Sequence, residues 1–244
     1  MRAQLRSELL KLRTTRTTLW LLLGAVAIVL LEVFADVFSD NLHTISTENE
    51  QRVVFGAGTL GALFAAYTGM ILVTNEFRYG TIRPTLLFEP RRRVVVGAKL
   101  IAAALVGAVF GVVGVALSFA AGYATLAARG VDFVVSGGHV ALAASGTIAG
   151  CVLCAMIGLA LGALIRHQVG AIVFLAAWFL TFEQILFGAA PSVGRYLPGK
   201  AVSALAGVTT PDLLSPTVGG FALVVWTLGF VALGMARTKR GDIP

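Results

Sequence analysis

TNEFRYGTIRPTLLFEPRRR, residues 74–93, is a polar stretch between two long hydrophobic segments of this 244-residue chain. It contains five arginines, two glutamates and two prolines. The chain as a whole is 57% hydrophobic and only 13% charged. Such a composition lies outside the usual range of soluble domains and indicates an integral membrane protein. We therefore interpret residues 74–93 as the region that joins two membrane spans.

The apolar segments on both sides are long enough to cross a bilayer. A hydrocarbon core of about 30 Å requires roughly 20 helical residues. We expect an all-α polytopic membrane protein with six transmembrane helices. They are predicted at residues 18–38, 53–74, 97–126, 139–164, 169–187 and 218–236.

The positive charge of the chain is explained by its topology. A net charge of +7 could indicate nucleic-acid binding in a soluble protein. Here fifteen of the nineteen lysines and arginines fall on the same side of the predicted spans as residues 74–93. Cytoplasmic loops of membrane proteins are enriched in these residues. We therefore predict cytoplasmic N- and C-termini and no nucleic-acid partner.

The residues before the first span form an amphipathic pattern. Leu5, Leu9 and Leu12 share one helical stripe, and arginines lie on its flank. This pattern predicts an N-terminal interfacial helix over residues 1–16, with its arginines directed at lipid phosphates. The alternative is a solvated basic leader.

Residues 194–201, GRYLPGKA, resemble a phosphate-binding P-loop but lack its essential features. Ala201 occupies the position where a Ser or Thr hydroxyl would bind magnesium, and no strand precedes the motif. Cys151 and Cys154 lie among Ala, Val and Leu and are expected to pack as small apolar residues. No set of nucleophile, base and metal ligands can be assembled, so we expect no catalytic residues, metal or cofactor in this chain.

Among the acidic residues inside predicted spans, Glu32 and Glu183 lie at matching depths in the outer half. Glu32 lies in the first span, and Glu183 lies in the fifth span beside Gln184. Ionisable groups at such depths usually face a cavity, a partner or a transport path. One hypothesis is that these three residues line a polar substrate path. The other is that the acids lie at the outer membrane interface.

The loop after the second span contains a short helical pattern. Gly80 can form a tight turn, Thr81 can cap a helix, and Pro90 can end it. We predict a short helix over residues 79–89 that projects from the membrane. Ile82, Leu86 and Leu87 would form an apolar face, which has no reason to lie in a solvated loop unless it packs on a partner.

These features together resemble the permease subunit of ABC-2 type transporters, such as bacterial drug, antibiotic and polysaccharide exporters. The resemblance covers nearly the whole chain and is based on SELLKLRTTR at residues 7–16, the six spans and the loop. The matching residues around the loop are Glu76, Arg78, Gly80, Thr81, Pro90 and Lys99.

The resemblance implies an ABC-2 (type V exporter-like) fold in a bacterial plasma membrane. Segment 79–89 would be a coupling helix that docks on a separate ATPase subunit, which would bind ATP and magnesium. Segment 189–216 would be an extracellular, partly re-entrant segment, and a second copy or a related permease would complete the transporter. The implied docking residues are Glu76, Arg78, Gly80, Thr81, Ile82, Arg83, Leu86 and Leu87.

Two other classes of function remain as alternatives. A secondary transporter could use Glu32 and Glu183 to carry protons, and it would respond to a pH gradient without ATP. A membrane enzyme would require an intramembrane group of His and acidic residues, which the sequence lacks. On the permease interpretation the chain is not itself an enzyme.

Overall fold

The computed structural model describes residues 2–39, 42–81, 84, 87 and 91–240, and these residues are almost entirely helical. The α-helices of this part are numbered here in chain order. They are α1 (Arg2–Thr14), α2 (Arg16–Ser39), α3 (Leu42–Ile45), α4 (Glu48–Gly56), α5 (Gly61–Arg78), α6 (Arg92–Ala128), α7 (Gly137–Ile165), α8 (Gln168–Ala176), α9 (Glu183–Ala189), α10 (Pro191–Gly194), α11 (Pro198–Leu205) and α12 (Pro216–Arg240).

Six helical segments of the described chain are long and apolar enough to cross a membrane. They are Arg16–Ser39, Glu48–Arg78, Arg93–Ala128, Gly137–Ile165, Gln168–Ala189 and Pro216–Arg237. Each overlaps one of the six predicted spans. The largest difference is in the second span, which was expected at residues 53–74 and continues to Arg78, with a 3-10 turn at Ala57–Leu60 joining α4 to α5.

The centre of the bundle consists of α5, α6 and α7, which approach one another closely through small residues. A methyl group added to Gly158 of α7 would collide with the backbone of Ala66 in α5. A methyl group on Gly107 of α6 would collide with the backbone of Cys151 in α7. Cys151 and Cys154 are completely buried at this packed centre. Gly107 and Gly158 each begin a G-x-x-x-G pair, with Gly111 and Gly162, and this spacing serves packing within the chain.

The two ends of the bundle carry different elements. At one end lie α1, the end of α5, the start of α6 and the turn between α7 and α8, where Arg78 contacts Gln168 and Arg166 contacts the backbone of Arg237. We call this the basic end. The opposite end contains α4, the loop after α6, and the short helices α10 and α11. The buried side chain of Gln51 holds the loop after α6. Its Nε2 donates to the carbonyl of Asp132, and its Oε1 accepts from the N–H of Val134.

The segment between the fifth and sixth spans is folded into short helices. Pro191 begins α10 and Pro198 begins α11, which is consistent with the preference of proline for the first helical turn. Ala201, Val202 and Ala204 of α11 are buried. The segment at residues 189–216 thus contains short helices that pack on the bundle. Its extracellular, partly re-entrant character stays a prediction.

Candidate functional site

The N-terminal helix α1 attaches to the bundle through its apolar stripe. Leu12 is buried, and Leu5 and Leu9 pack against the main core. Glu8 lies on this same side of α1 and is completely buried. A carboxylate in such a place requires charged or hydrogen-bonding partners, because burial of an unpaired charge is very costly.

Glu8 pairs with one lysine of a neighbouring helix and with one lysine of its own helix. Lys99 of α6 places its Nζ 2.9 Å from Glu8 Oε2 and 2.7 Å from Oε1 of Glu76, near the end of α5. Lys11, one turn after Glu8, places its Nζ 3.0 Å from Glu8 Oε1 and 2.7 Å from Glu76 Oε1. Two lysines and two glutamates thus connect three helices. We call these four residues the ion network.

The charges of the ion network are balanced within it. Glu8, Glu76 and Lys99 are almost inaccessible to solvent, whereas the Lys11 side chain is 41% exposed. Burial alone would lower the pKa of Lys11, but the hydrogen bond and charge of Glu76, together with those of Glu8, raise it above its usual value. Lys11 therefore remains protonated, and removal of any one member leaves an excess charge in a buried place.

The loop expected to form the coupling helix starts directly beyond this network. Gly80, at φ 65°, and Thr81 follow α5, and both residues are exposed. Pro84 and Leu87 have helical backbone conformation and are also exposed, Leu87 by 83%. Of the expected docking residues, Ile82, Arg83 and Leu86 lie outside the described residues.

Two of the expected docking residues lie in α5 rather than in the loop. Glu76 is buried and faces Lys11 and Lys99. Arg78, at the last position of α5, is exposed and donates from Nη1 to Gln168 Oε1 at 2.9 Å. Its guanidinium also lies over the ring of Tyr79, 5.5 Å from the centroid. The structure therefore separates a buried residue that holds the helices together from exposed residues beside the loop.

Sequence reasoning did not identify the pairing of Lys11 and Lys99 with Glu8 and Glu76. Two features of the sequence could have indicated buried ion pairs. Glu8 interrupts the leucine stripe of α1, and Lys99 lies within an apolar span. A charge on an apolar face or inside a span usually has a buried partner. The sequence alone gives no distance between residues 8 and 99, so the partner could not be named.

At the opposite end, Glu183 is buried and has two defined donors. Trp178 Nε1 donates to Glu183 Oε1 at 2.7 Å, and the backbone N–H of Gly199 donates to Oε2 at 2.8 Å. Gly199 belongs to the first turn of α11, where backbone N–H groups are free and the helix dipole favours a negative charge. Glu183 therefore connects the fifth span to α11.

A π-helical turn over Ala177–Phe182 makes this connection possible. The backbone N–H of Glu183 bonds to the carbonyl of Trp178, five residues earlier, so the two side chains lie on one side of the helix. Nothing in the sequence predicted this turn. Such turns are frequent at functional sites.

The three residues of the hypothesised polar path differ in their environments. Glu183 is buried, whereas Glu32 is exposed on α2 and Gln184 is exposed on α9. Gln184 Oε1 accepts a hydrogen bond from Lys200 Nζ at 2.9 Å. The structure thus brings Gln184 and Glu183 to α11 but shows no contact between either residue and Glu32 among the described residues.

The P-loop-like segment has a structural role in this arrangement. Gly199 supplies the N–H that binds Glu183, and a methyl group on it would collide with Glu183 Oε2. Gly194 packs against the backbone of Phe187. Within the part of the chain that the structure describes, no group of three or more His, Cys, Asp or Glu residues could hold a metal ion.

The fold and the two sites define a multi-pass, all-α membrane protein with charged contacts that hold its helices together. A family model described as ABC-2 family transporter protein matches residues 4–184. This match covers most of the chain, and the protein belongs to the ABC-2 transporter family. No curated protein matched the chain in a sequence search.

The ion network predicts a large effect of one lysine. Lys99→Met should lower the thermal unfolding midpoint in mild detergent, because it leaves two buried glutamates with one lysine, a loss of about 3–5 kcal/mol. Adding Glu8→Gln to Lys99→Met removes the excess charge and should recover part of this loss. Lys200→Met is the matched control, since Lys200 is partly exposed and bonds a neutral amide. Unfolding of Lys99→Met at the wild-type temperature would contradict the role of the network.

The contact between Glu183 and α11 predicts a different effect for two glycines. Gly199→Ala should destabilise the protein by about 1–3 kcal/mol, because the methyl group displaces Glu183 Oε2 from its backbone donor. Gly188→Ala is the control, because a methyl group there meets no atom. Thermal unfolding of both variants tests the prediction. Equal midpoints would show that Glu183 does not hold α11.

Proposed function

We propose that this protein is the permease subunit of an ATP-driven exporter of the bacterial plasma membrane. In this proposal it forms the substrate path and couples to a separate ATPase subunit, which binds ATP and Mg²⁺. Membership of the ABC-2 family supports association with an ABC ATPase in general. The observation that carries the coupling is the ion network, which joins the two helices beside the 79–90 loop to α1.

The ion network fixes the two helices on either side of the loop to each other. A motor can move the spans only if the element on which it pushes transmits force to them. Glu76 lies near the end of α5, immediately before the loop, and Lys99 lies in the first turns of α6, after it. Since Lys99 contacts both Glu8 and Glu76, displacement of the loop would move α5, α6 and α1 together.

Leu87 supports the loop as the docking site. It is the most exposed of the large apolar side chains in the described part of the chain, at 83%. A contiguous exposed apolar patch is typical of a protein interaction site, whereas a single exposed apolar residue is not. We therefore place Leu87 against the ATPase subunit, together with Ile82 and Leu86, which the sequence assigns to the same apolar face.

A second permease subunit is part of the proposal. Span Arg16–Ser39 and span Gln168–Ala189 leave most of their apolar surface outside the bundle. Lipid would cover part of this surface, and a second copy or a related chain would cover the rest. One six-helix unit encloses a substrate path poorly by itself, so the path is placed between two units.

The secondary transporter receives less support than the permease. Proton carriage requires a carboxylate that alternates between exposure to the two sides of the membrane. Both oxygens of Glu183 are engaged by donors of this chain, and Glu32 lies on an outward face of α2. The family match also favours a transporter that works with an ATPase.

Docking through the loop predicts the effect of a charge at Leu87. Leu87→Asp should leave the permease inserted and folded, because this side chain contacts solvent. It should abolish copurification of the ATPase subunit in mild detergent, since a carboxylate buried at an interface costs several kcal/mol. Leu87→Met keeps the apolar surface and should retain the partner. Retention of the ATPase by Leu87→Asp, with transport intact, would contradict docking at this loop.

The proposed orientation predicts which cysteines a membrane-impermeant reagent reaches. The background would lack Cys151 and Cys154. Ser46→Cys, at the end opposite the loop, should react from outside intact cells. Arg237→Cys, at the basic end, should react only after the membrane is opened. The reverse pattern would place the loop outside the cell and exclude contact with a cytoplasmic ATPase.

A further inference from the structure

A cavity of about 670 Å³ lies at the basic end between α1, the start of α2, the end of α5 and the start of α8. Ligand pockets typically enclose about 300–1,000 Å³, so this cavity has the size of a small-molecule site. Its lining includes Lys11 and Glu76 of the ion network and Tyr79, Thr81 and Pro84 of the loop, but not Leu87. Neither the family nor the proposed function assigns a ligand to it.

The wall of the cavity is mostly neutral and able to form hydrogen bonds. Thr15, Thr17 and Thr18 contribute hydroxyl groups, and Asn75 and Gln168 contribute carboxamides. Hydroxyl and carboxamide groups both donate and accept hydrogen bonds. Such a wall is suited to a ligand that carries several hydroxyl groups.

Two cationic side chains of this wall can bind an anion. Lys11 has three N–H donors, of which Glu8 and Glu76 use two, and its side chain is 41% exposed. Arg78 is fixed by Gln168 and Tyr79 and has no carboxylate partner among the described residues. A guanidinium held in place on one side presents its remaining donors as a fork that matches a phosphate.

The charge of the site favours a single negative charge. The charged residues lining the cavity are Lys11, Glu76 and Arg78, and the ion network adds Glu8 and Lys99 behind the wall. Three cations and two anions leave one positive charge. A phosphodiester carries one negative charge and neutralises it. A ligand with a net positive charge would instead add to an excess that is already positive.

The cavity lies at the level where lipid headgroups are expected. Trp20 is 68% exposed on α2, one turn after the cavity-lining residue Thr17. Arg16, the residue before Thr17, is also exposed. Exposed tryptophans concentrate at the boundary between the hydrocarbon and the headgroups, and arginines on its polar side. The mouth of the cavity therefore faces phospholipid phosphates.

We infer that this cavity binds a phosphate ester that carries free hydroxyl groups, of which phosphatidylglycerol is the membrane form and glycerol 3-phosphate the soluble form. Arg78 and Lys11 hold the phosphate, and the hydroxyl groups of Thr15, Thr17 and Thr18 contact the free hydroxyl groups of the ester. The match of one positive charge to one phosphodiester favours the lipid.

The test measures binding to the purified full-length chain in a neutral detergent without an ATPase subunit. Calorimetric titrations would use short-chain phosphatidylglycerol, short-chain phosphatidylcholine and glycerol 3-phosphate. Arg78→Gln should weaken binding of phosphatidylglycerol by about tenfold or more, because it removes a charge-assisted hydrogen bond. Thr18→Val, which removes one hydroxyl at constant shape, should weaken it by about threefold.

Arg13→Gln is the matched control, because Arg13 is exposed at the same end but does not line the cavity. It should bind phosphatidylglycerol as the wild type does.

Tighter binding of phosphatidylglycerol than of glycerol 3-phosphate identifies the lipid as the source, and the reverse identifies the soluble ester. The inference is overturned if neither ester binds, if phosphatidylcholine binds equally well, or if Arg13→Gln and Arg78→Gln weaken binding equally. Since no ATPase is present, these results do not depend on the docking proposal.

Discussion

The contacts of Lys99 with Glu8 and Glu76 are the interaction on which the basic end of this protein depends. Transfer of a charged group out of water costs several kcal/mol, and only close oppositely charged partners offset this cost. Lys99 therefore fixes where α1 can lie, because Glu8 must reach it from outside the bundle. With α1 in place, its leucines cover the ends of the spans and its polar side forms one wall of the cavity.

Polar contacts have particular importance in this protein because its surroundings are apolar. Lipid tails are as apolar as leucine, so burial of leucine does not distinguish a neighbouring helix from lipid. Close backbone packing at Gly107 and Gly158 provides one source of specificity. The ion network at one end and the contacts of Glu183 at the other provide a second. Each uses a carboxylate that cannot be left in the apolar interior without its donors.

The sequence predicted the spans well because hydrophobicity and length are sufficient to define a helix that crosses a bilayer. It predicted their ends less well, since charged residues were interpreted as signs of a loop. Glu76 was left outside the predicted second span, 53–74, but it lies in α5 and pairs with Lys99, which the predicted third span did include. The charge pattern could not distinguish a residue that leaves the membrane from one that pairs inside the bundle.

The two acids Glu32 and Glu183 show a second limit of sequence reasoning. Their matching depths suggested one shared environment, yet only Glu183 is buried. Depth follows from position along a helix, whereas burial depends on which face is turned inward. The π-helical turn before Glu183 inserts an extra residue and so changes which side chains of the fifth span face the bundle. Hydrophobic periodicity cannot reveal such a turn.

The arrangement of the basic end has a mechanical consequence for the proposed coupling. The loop joins two helices that are already fixed to each other by Glu76 and Lys99, so a load on Leu87 cannot separate α5 from α6 without breaking a buried ion pair. The same load reaches α1 through Glu8, and α1 forms a wall of the cavity beside Arg78. Movement of the loop would therefore change the shape of this cavity. A bound phosphate ester would resist or favour that movement according to how its contacts with Arg78 and Lys11 differ between the two positions.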